Sequence, residues 1–308
     1  MTTRRLACFL ALGAIVTGCS DAPPAGPDLG PRAYDLLYEG SASGTPTLFL
    51  IDTAGHSAPR RVLPAAMTGM DPSPTADWTR IAFVAADYTS GTGDISILGD
   101  NGTTVRVLTA DPELDDSPAW SPDGKRIAFR SYRSGYDGEI WVVNADGSSP
   151  VNLTPNALPA TWDNRHPDWS PDGKSIVFAS TLGGDWGIWV MNADGSGKRQ
   201  LTNTPDLDAE PAWSPDGGSI AFRRTDATGS DIMVMPAAGG EPVRIAMSGE
   251  QRMPAWSPDR RLIAFVGQET VNAQPELYLM RASGEQVRRV TSDPAWGGGI
   301  HPAWWGHF

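Results

Sequence analysis

Histidine is scarce in this chain, with four copies in 308 residues, and two of them stand at one register. His166 and His301 each come just before a proline that opens a Pro-x-Trp triplet. The same place is taken by Asp71, Ser117, Glu210 and Met253 in the other copies of that stretch. Two imidazoles and two carboxylates are ligand types for a divalent ion and are also acid–base groups. The plainer reading makes them solvated channel residues, or caps for neighbouring loops. Aromatic side chains gather in the adjoining segments: Trp162 ahead of His166, Trp296 ahead of His301, and Tyr132, Tyr136 and Trp186, with Arg133, in loops after the Ile-x-Phe runs. A repeat needs none of these rings for its own packing, and aromatics carry binding energy at interfaces and stack on sugars. Motifs for harder chemistry are missing: there is no His-Glu-x-x-His, no glycine-rich phosphate loop and no Ser-His-Asp signal. No catalytic residue, metal-ligand set or cofactor is therefore assigned. A divalent ion at the ring is kept as an alternative.

The elements that must position these residues are repeats. Trp120-Ser121-Pro122-Asp123-Gly124 leads into Ile127-Ala128-Phe129. The pattern returns at Trp169 to Gly173, at Trp213 to Gly217, and at Trp256 to Asp259 with Arg260 where glycine is expected. A worn copy runs from Pro72 to Phe83, with Pro74 in the tryptophan place, and a last one is Pro302-Ala303-Trp304. Strand-like apolar triplets at periods of roughly 40–50 residues indicate a propeller or a related array. Ser-Pro-Asp-Gly is a tight turn: proline presets φ, aspartate bonds its own backbone, and glycine takes the positive φ. A second hairpin in each unit uses Asn144-Ala145-Asp146-Gly147 or Asn192-Ala193-Asp194-Gly195 between apolar runs. Each unit thus has four strands, A to D.

The two ends of the repeat region are fragments that complete each other. Leu36-Leu37-Tyr38, Thr47 to Asp52 and Arg61-Val62-Leu63 read as strands B, C and D with no A before them, while His301 to Trp304 is an A strand with nothing after it. A ring has no free edge only if its last blade closes with its first. The expectation is an all-β, six-bladed propeller in which residues 300–305 supply strand A of the first blade and residues 35–64 supply B to D. The alike A–B and C–D turns make one face look architectural. The D–A and B–C loops, with every repeat departure, fall on the other. The candidate contact residues are accordingly Trp162, His166, Trp186, Trp296 and His301, with Tyr132 and Tyr136 at the rim and Asp71 and Glu210 supplying negative charge at the channel mouth.

The N-terminus reads as a leader. Arg4 and Arg5 precede an apolar run from Leu6 to Val16, too short for a membrane span, which needs about 20 residues. Val16-Thr17-Gly18-Cys19 resembles the bacterial lipobox, which implies cleavage before Cys19 and lipidation of its thiol; the alternative is an ordinary signal peptide with a chance cysteine. Cys8 leaves with a leader of residues 1–18, so no internal disulfide can form in what remains. Residues 19–32, rich in proline and glycine, read as a tether to a domain at residues 33–308. Loss of Arg4 and Arg5 takes the formal charge from −12 to −14, which argues against nucleic acid and against electrostatic docking on anionic lipid.

The repeats resemble the PD40 (WD40-like) repeats of TolB-type propellers, and are similar to the propeller ahead of the hydrolase domain in dipeptidyl-peptidase-IV-like peptidases. TolB carries an α/β domain before its propeller, where this sequence has a 13-residue tether. The peptidases carry a hydrolase domain after theirs, where this sequence stops at Phe308 with no Gly-x-Ser-x-Gly. The resemblance therefore implies a fold and structural roles for the motif Trp and Asp residues, not peptidase activity. The function expected is a lipid-anchored, monomeric scaffold of the cell envelope for a protein or glycan partner. It would sit on the outer membrane facing the periplasm, or on the outer face of the cytoplasmic membrane where there is no outer one. Alternatives are a propeller-type lyase or hydrolase acting on oligosaccharide, and an accessory subunit with a purely structural role.

Overall fold

Twenty-four strands and no helix make up the described chain. A computed structural model of the protein describes residues 34–306 apart from 43–44, 55–57, 88–91, 100–101, 136, 157–161, 246–248, 271 and 292–299. These belong to one unit, Ala33–Phe308. The leader, Cys19 and the tether lie outside the described residues, as do Tyr136 and Trp296.

The strands form six antiparallel four-stranded sheets, the blades of a propeller. Blade 1 joins Ile300–Gly306 to Tyr34–Ala42, Thr45–Asp52 and Arg60–Arg61, in that order. In this sheet Leu37 lies opposite Ala303 and Leu36 opposite Trp304. Blades 2 to 6 each take four consecutive strands, their A strands being Met70–Pro74, Asp115–Trp120, Asn164–Trp169, Leu207–Trp213 and Glu250–Trp256.

The core is not one body but six clusters, and each spans two neighbouring blades. Phe83 and Leu48 share the cluster between blades 1 and 2, Phe129 and Ile97 that between 2 and 3, and Phe178 and Ile140 that between 3 and 4. Phe222 and Ile188 pack between 4 and 5, Phe265 and Ile232 between 5 and 6, and Tyr38 with Leu277 between 6 and 1. The series has no open end. Alternate residues of each B strand supply these clusters because successive side chains point to opposite faces of a sheet.

The Ser-Pro-Asp-Gly turns behave as their residue types require. Ser121 Oγ donates to Asp123 at 2.7 Å and accepts from the Arg126 N–H at 2.9 Å, while Asp123 also accepts from the Lys125 N–H at 3.1 Å. These bonds lower the pKa of Asp123, with the Ser121 hydroxyl the largest influence. Gly124 sits at φ +64°. Motif tryptophans pack between blades: Arg80 lies over the Trp120 ring, Arg126 over Trp169, and Trp304 Nε1 donates to the Ala255 carbonyl at 2.9 Å. These residues build the ring, as the resemblance implied.

Candidate binding site at the ring of bulges

Every A strand slips register against its B strand near its middle. The residue at the slip is the one before the buried proline, and in all six blades it has a left-handed backbone: Asp71, Ser117, His166, Glu210, Met253 and His301 have φ between 47° and 56°. None is glycine, so each costs about 1–2 kcal/mol relative to an ordinary conformation. A bulge re-aims one side chain out of the alternating pattern. Here the six re-aimed residues and their six prolines, with Asp168, line one cavity of about 180 Å³.

His301 is gripped from both sides. Its Nε2 lies 3.0 Å from Asp71 and its Nδ1 3.2 Å from Glu39. Burial opposes the charged ring, but the two carboxylates outweigh it and raise the pKa to about 10. Burial likewise works against the Asp71 carboxylate, yet the charge and hydrogen bond of His301, the His166 ring and the Ser117 N–H bring its pKa down to about 2. Ligand atoms of Glu39, Asp71 and His301 all fall within 4.8 Å of one another, close enough to hold a divalent ion. An ion would have to displace the proton shared in these contacts, since a metal needs the bare imidazole nitrogen.

Asp71 and Glu210 also tie blades together. Asp71 Oδ2 accepts the Ser117 N–H at 3.2 Å, and Glu210 Oε2 accepts the Met253 N–H at 2.7 Å; in each case the donor is the bulge residue of the next blade. Glu210 is further paired with Arg223 at 3.2 Å. Asp168 accepts the Trp213 N–H at 2.7 Å, and burial, only partly offset by that bond, pushes it up to about 6.

His166 differs from His301. Its Nδ1 is buried with no hydrogen-bond partner, and burial, then Arg130 and Arg165, drive its pKa well below the ordinary value. The ring is therefore neutral at pH 7. Beside it Trp186 is half-buried beneath Arg165, whose guanidinium carbon is 3.6 Å from the ring centroid. Tyr132 lies under Arg130 at 5.0 Å. Trp162 is half-buried, and its backbone is pinned by Asn156 and Asn164.

The structure thus brings Asp71, His166, Glu210 and His301 to one cavity, and sets Tyr132 against Arg130, two residues before it, and Trp186 against Arg165. Sequence reasoning missed Glu39, Asp168 and Arg165. Asp168 carried a readable signal: the other intact copies have Ala119, Ala212, Ala255 or Ala303 there. One expectation needs correcting. The A–B/C–D turn face is not free of departures: Trp78 takes the turn-glycine place of blade 2 at φ 53°, and Trp305 replaces the motif serine. Both line a second cavity of about 210 Å³ with Leu50, Val62 and Leu98.

Residues 78–272 match the TolB beta propeller domain, PD40. The chain belongs to this family. Among curated relatives, the Tol-Pal system protein TolB of Xanthomonas campestris pv. campestris (strain B100) is 36% identical over 119 residues. That stretch is 35% of this chain and 26% of the relative, so the match spans about a quarter of that protein. Among solved structures, TolB from Acinetobacter baumannii superposes with a TM-score of 0.75 at 23% identity, covering 88% of this chain and 66% of that one. Oligogalacturonate lyase in complex with manganese gives 0.58 at 21% identity, covering 80% and 73%. At such identities the two structures speak for the PD40 fold alone.

Proposed function

We propose that this PD40 protein is a lipid-anchored, non-catalytic scaffold of the cell envelope that binds a protein or glycan partner through the face carrying the ring of bulges. The observation that carries this reading is the ring itself. Six strained backbone positions present side chains of five kinds, acidic, imidazole, hydroxyl and thioether among them, to one cavity. Membership of the TolB propeller family supports an envelope protein as partner, since the relative named above is a Tol-Pal system protein. On this reading residues 1–18 are removed, Cys19 is lipidated, and residues 19–32 tether a monomeric propeller to the outer membrane on its periplasmic side, or to the outer face of the cytoplasmic membrane in a cell with one membrane. Trp162, Trp186, Trp296, Tyr132 and Tyr136 are the aromatic contacts around His166 and His301, with Asp71 and Glu210 setting the charge of the mouth.

The test is capture from envelopes by the full-length protein, comparing wild type with Tyr132→Ala/Trp186→Ala. A partner held by the wild type and lost with the double variant, at an unchanged melting curve, supports the reading; equal capture by both contradicts it. In the same preparations Cys19→Ser should leave the membrane fraction or remain uncleaved.

A carbohydrate-active enzyme is the second reading. The neutral His166 beside Asp168, a carboxyl raised to about 6, is an acid–base combination in a cavity. Turnover of an acidic oligosaccharide that is lost in Asp168→Asn would favour this reading over the scaffold.

A further inference from the structure

The bulge register sets one B-strand residue opposite each A strand; it is charged in blades 1, 3 and 5 and apolar in blades 2, 4 and 6, where Val84 faces Met70, Ala179 faces Arg165 and Val266 faces Arg252. Glu39, Arg130, Ala179 and Arg223 occupy equivalent B-strand places, opposite Ile300, Asp116, Arg165 and Ala209. In blade 3 the opposed pair is an ion pair, with Arg130 Nε 2.8 Å from Asp116. In blade 5 Arg223 reaches Glu210, and in blade 1 Glu39 reaches His301. In blade 4 the opposed residue is Ala179, whose methyl group can answer neither Arg165 nor His166.

Arg165 consequently has no carboxylate within 4.0 Å among the described residues, and its Nε is buried without a hydrogen-bond partner. Its guanidinium is stacked at 3.6 Å on Trp186. Burial disfavours its charge most; Asp163, two residues before it, favours it, Arg130 and Arg223 on the adjacent blades disfavour it again, and Glu210 favours it least. A guanidinium held over an indole presents its donors as a planar fork, the shape that takes a carboxylate in two hydrogen bonds.

We propose that Arg165, held on Trp186, is the recognition site for a carboxylate of an acidic segment on a partner protein. The proposal rests on reading this face as the partner-binding face. A sugar carboxylate fits the stacked fork less well, because one face of Trp186 is already covered by the guanidinium and cannot take a sugar ring. The interaction is a charged one near the surface, so it weakens with salt.

The test uses purified protein and a defined probe, an N-acetylated, C-amidated peptide of glutamates and leucines, with affinity measured by titration calorimetry at low and at physiological salt. Arg165→Gln should weaken binding by about tenfold or more, the effect of losing a charge-assisted bidentate contact, and Arg165→Lys should recover only part of it. Ala179→Glu supplies an internal carboxylate from the opposed strand, as Asp116 does for Arg130, and should abolish binding in the folded variant, at a lower melting temperature because Ala179 is buried in the cluster between blades 4 and 5. Peptide affinity unaltered in Arg165→Gln, or retained in a folded Ala179→Glu protein, overturns the proposal. Galacturonate bound as tightly as the peptide also overturns it, by assigning the site to a glycan. Failure here while envelope capture still depends on Tyr132 and Trp186 would refute the acidic partner and leave the scaffold standing.

Discussion

At the scale of single residues, His301 does the most to hold the mouth together, because it joins Glu39 of blade 1 to Asp71 of blade 2. The pH dependence follows from the shifts. A histidine raised from 6.5 to about 10 on folding contributes stability that is complete below about pH 6.5 and is lost as pH rises through about 10. Asp71, lowered from 3.8 to about 2, contributes above about pH 3.8 and loses that contribution as pH falls through about 2. We expect His301→Gln to cost about 3 kcal/mol between pH 4 and 6.5, the magnitude of breaking a buried pair, and progressively less toward pH 10. Urea denaturation of both proteins across that range checks it, and a difference that grows with rising pH contradicts it. The ring positions were legible in the sequence because each sits before an aligned proline. Glu39 was not, because it meets His301 from 262 residues away, across the one blade whose strands are not consecutive. Arg165 was equally hidden: what distinguishes it is the absence of a partner, and only the register shows that.

At the scale of elements, the A–B turn and the bulge divide the work of each blade. The turn is a self-contained network of serine and aspartate bonds, so local sequence chemistry was enough to place it. The bulge is imposed by packing. Asp71, His166 and His301 are of types enriched at positive φ, but Ser117, Glu210 and Met253 are not, and the six share only the proline that follows. Blade 6 shows how a turn survives without its glycine. Arg260 stands at φ 63°, and its guanidinium pairs with Asp216 of the preceding blade's turn. Arg260→Gly removes backbone strain of about 1–2 kcal/mol and an exposed pair worth about 0.2–1 kcal/mol. The expected result is a net stabilisation of up to about 1.8 kcal/mol, seen as a higher denaturant midpoint with an unchanged slope. A lower midpoint would mean that the pair outweighs the strain. Trp78 takes the same turn place in blade 2, at φ 53°. Its place beside Trp305 in a cavity shows that the turn face is also individual.

At the scale of the whole molecule, six inter-blade clusters make stability a ring property. The complementary fragments at the two ends of the repeat region pointed to one shared blade, and that inference needed no side-chain detail. Trp304, 5% exposed, packs in the cluster between blades 6 and 1 and donates to the Ala255 carbonyl across it. Trp304→Ala should cost about 3–5 kcal/mol, as for other buried aromatics cut back to alanine, and thermal unfolding should remain a single transition because every blade leans on two others. A separate early transition would mean that blades unfold independently.

The central claim, that partners meet the bulge-ring face, is tested most directly by hydrogen exchange on the free protein and on the complex captured from envelopes. The account predicts slowed exchange at Tyr132–Arg133, at residues 162–168 and at residues 181–187, with the turns at Trp78 and at residues 123–126 unchanged. Protection confined to the turn face, around Trp78 and Trp305, would contradict it and move the binding site to the second cavity.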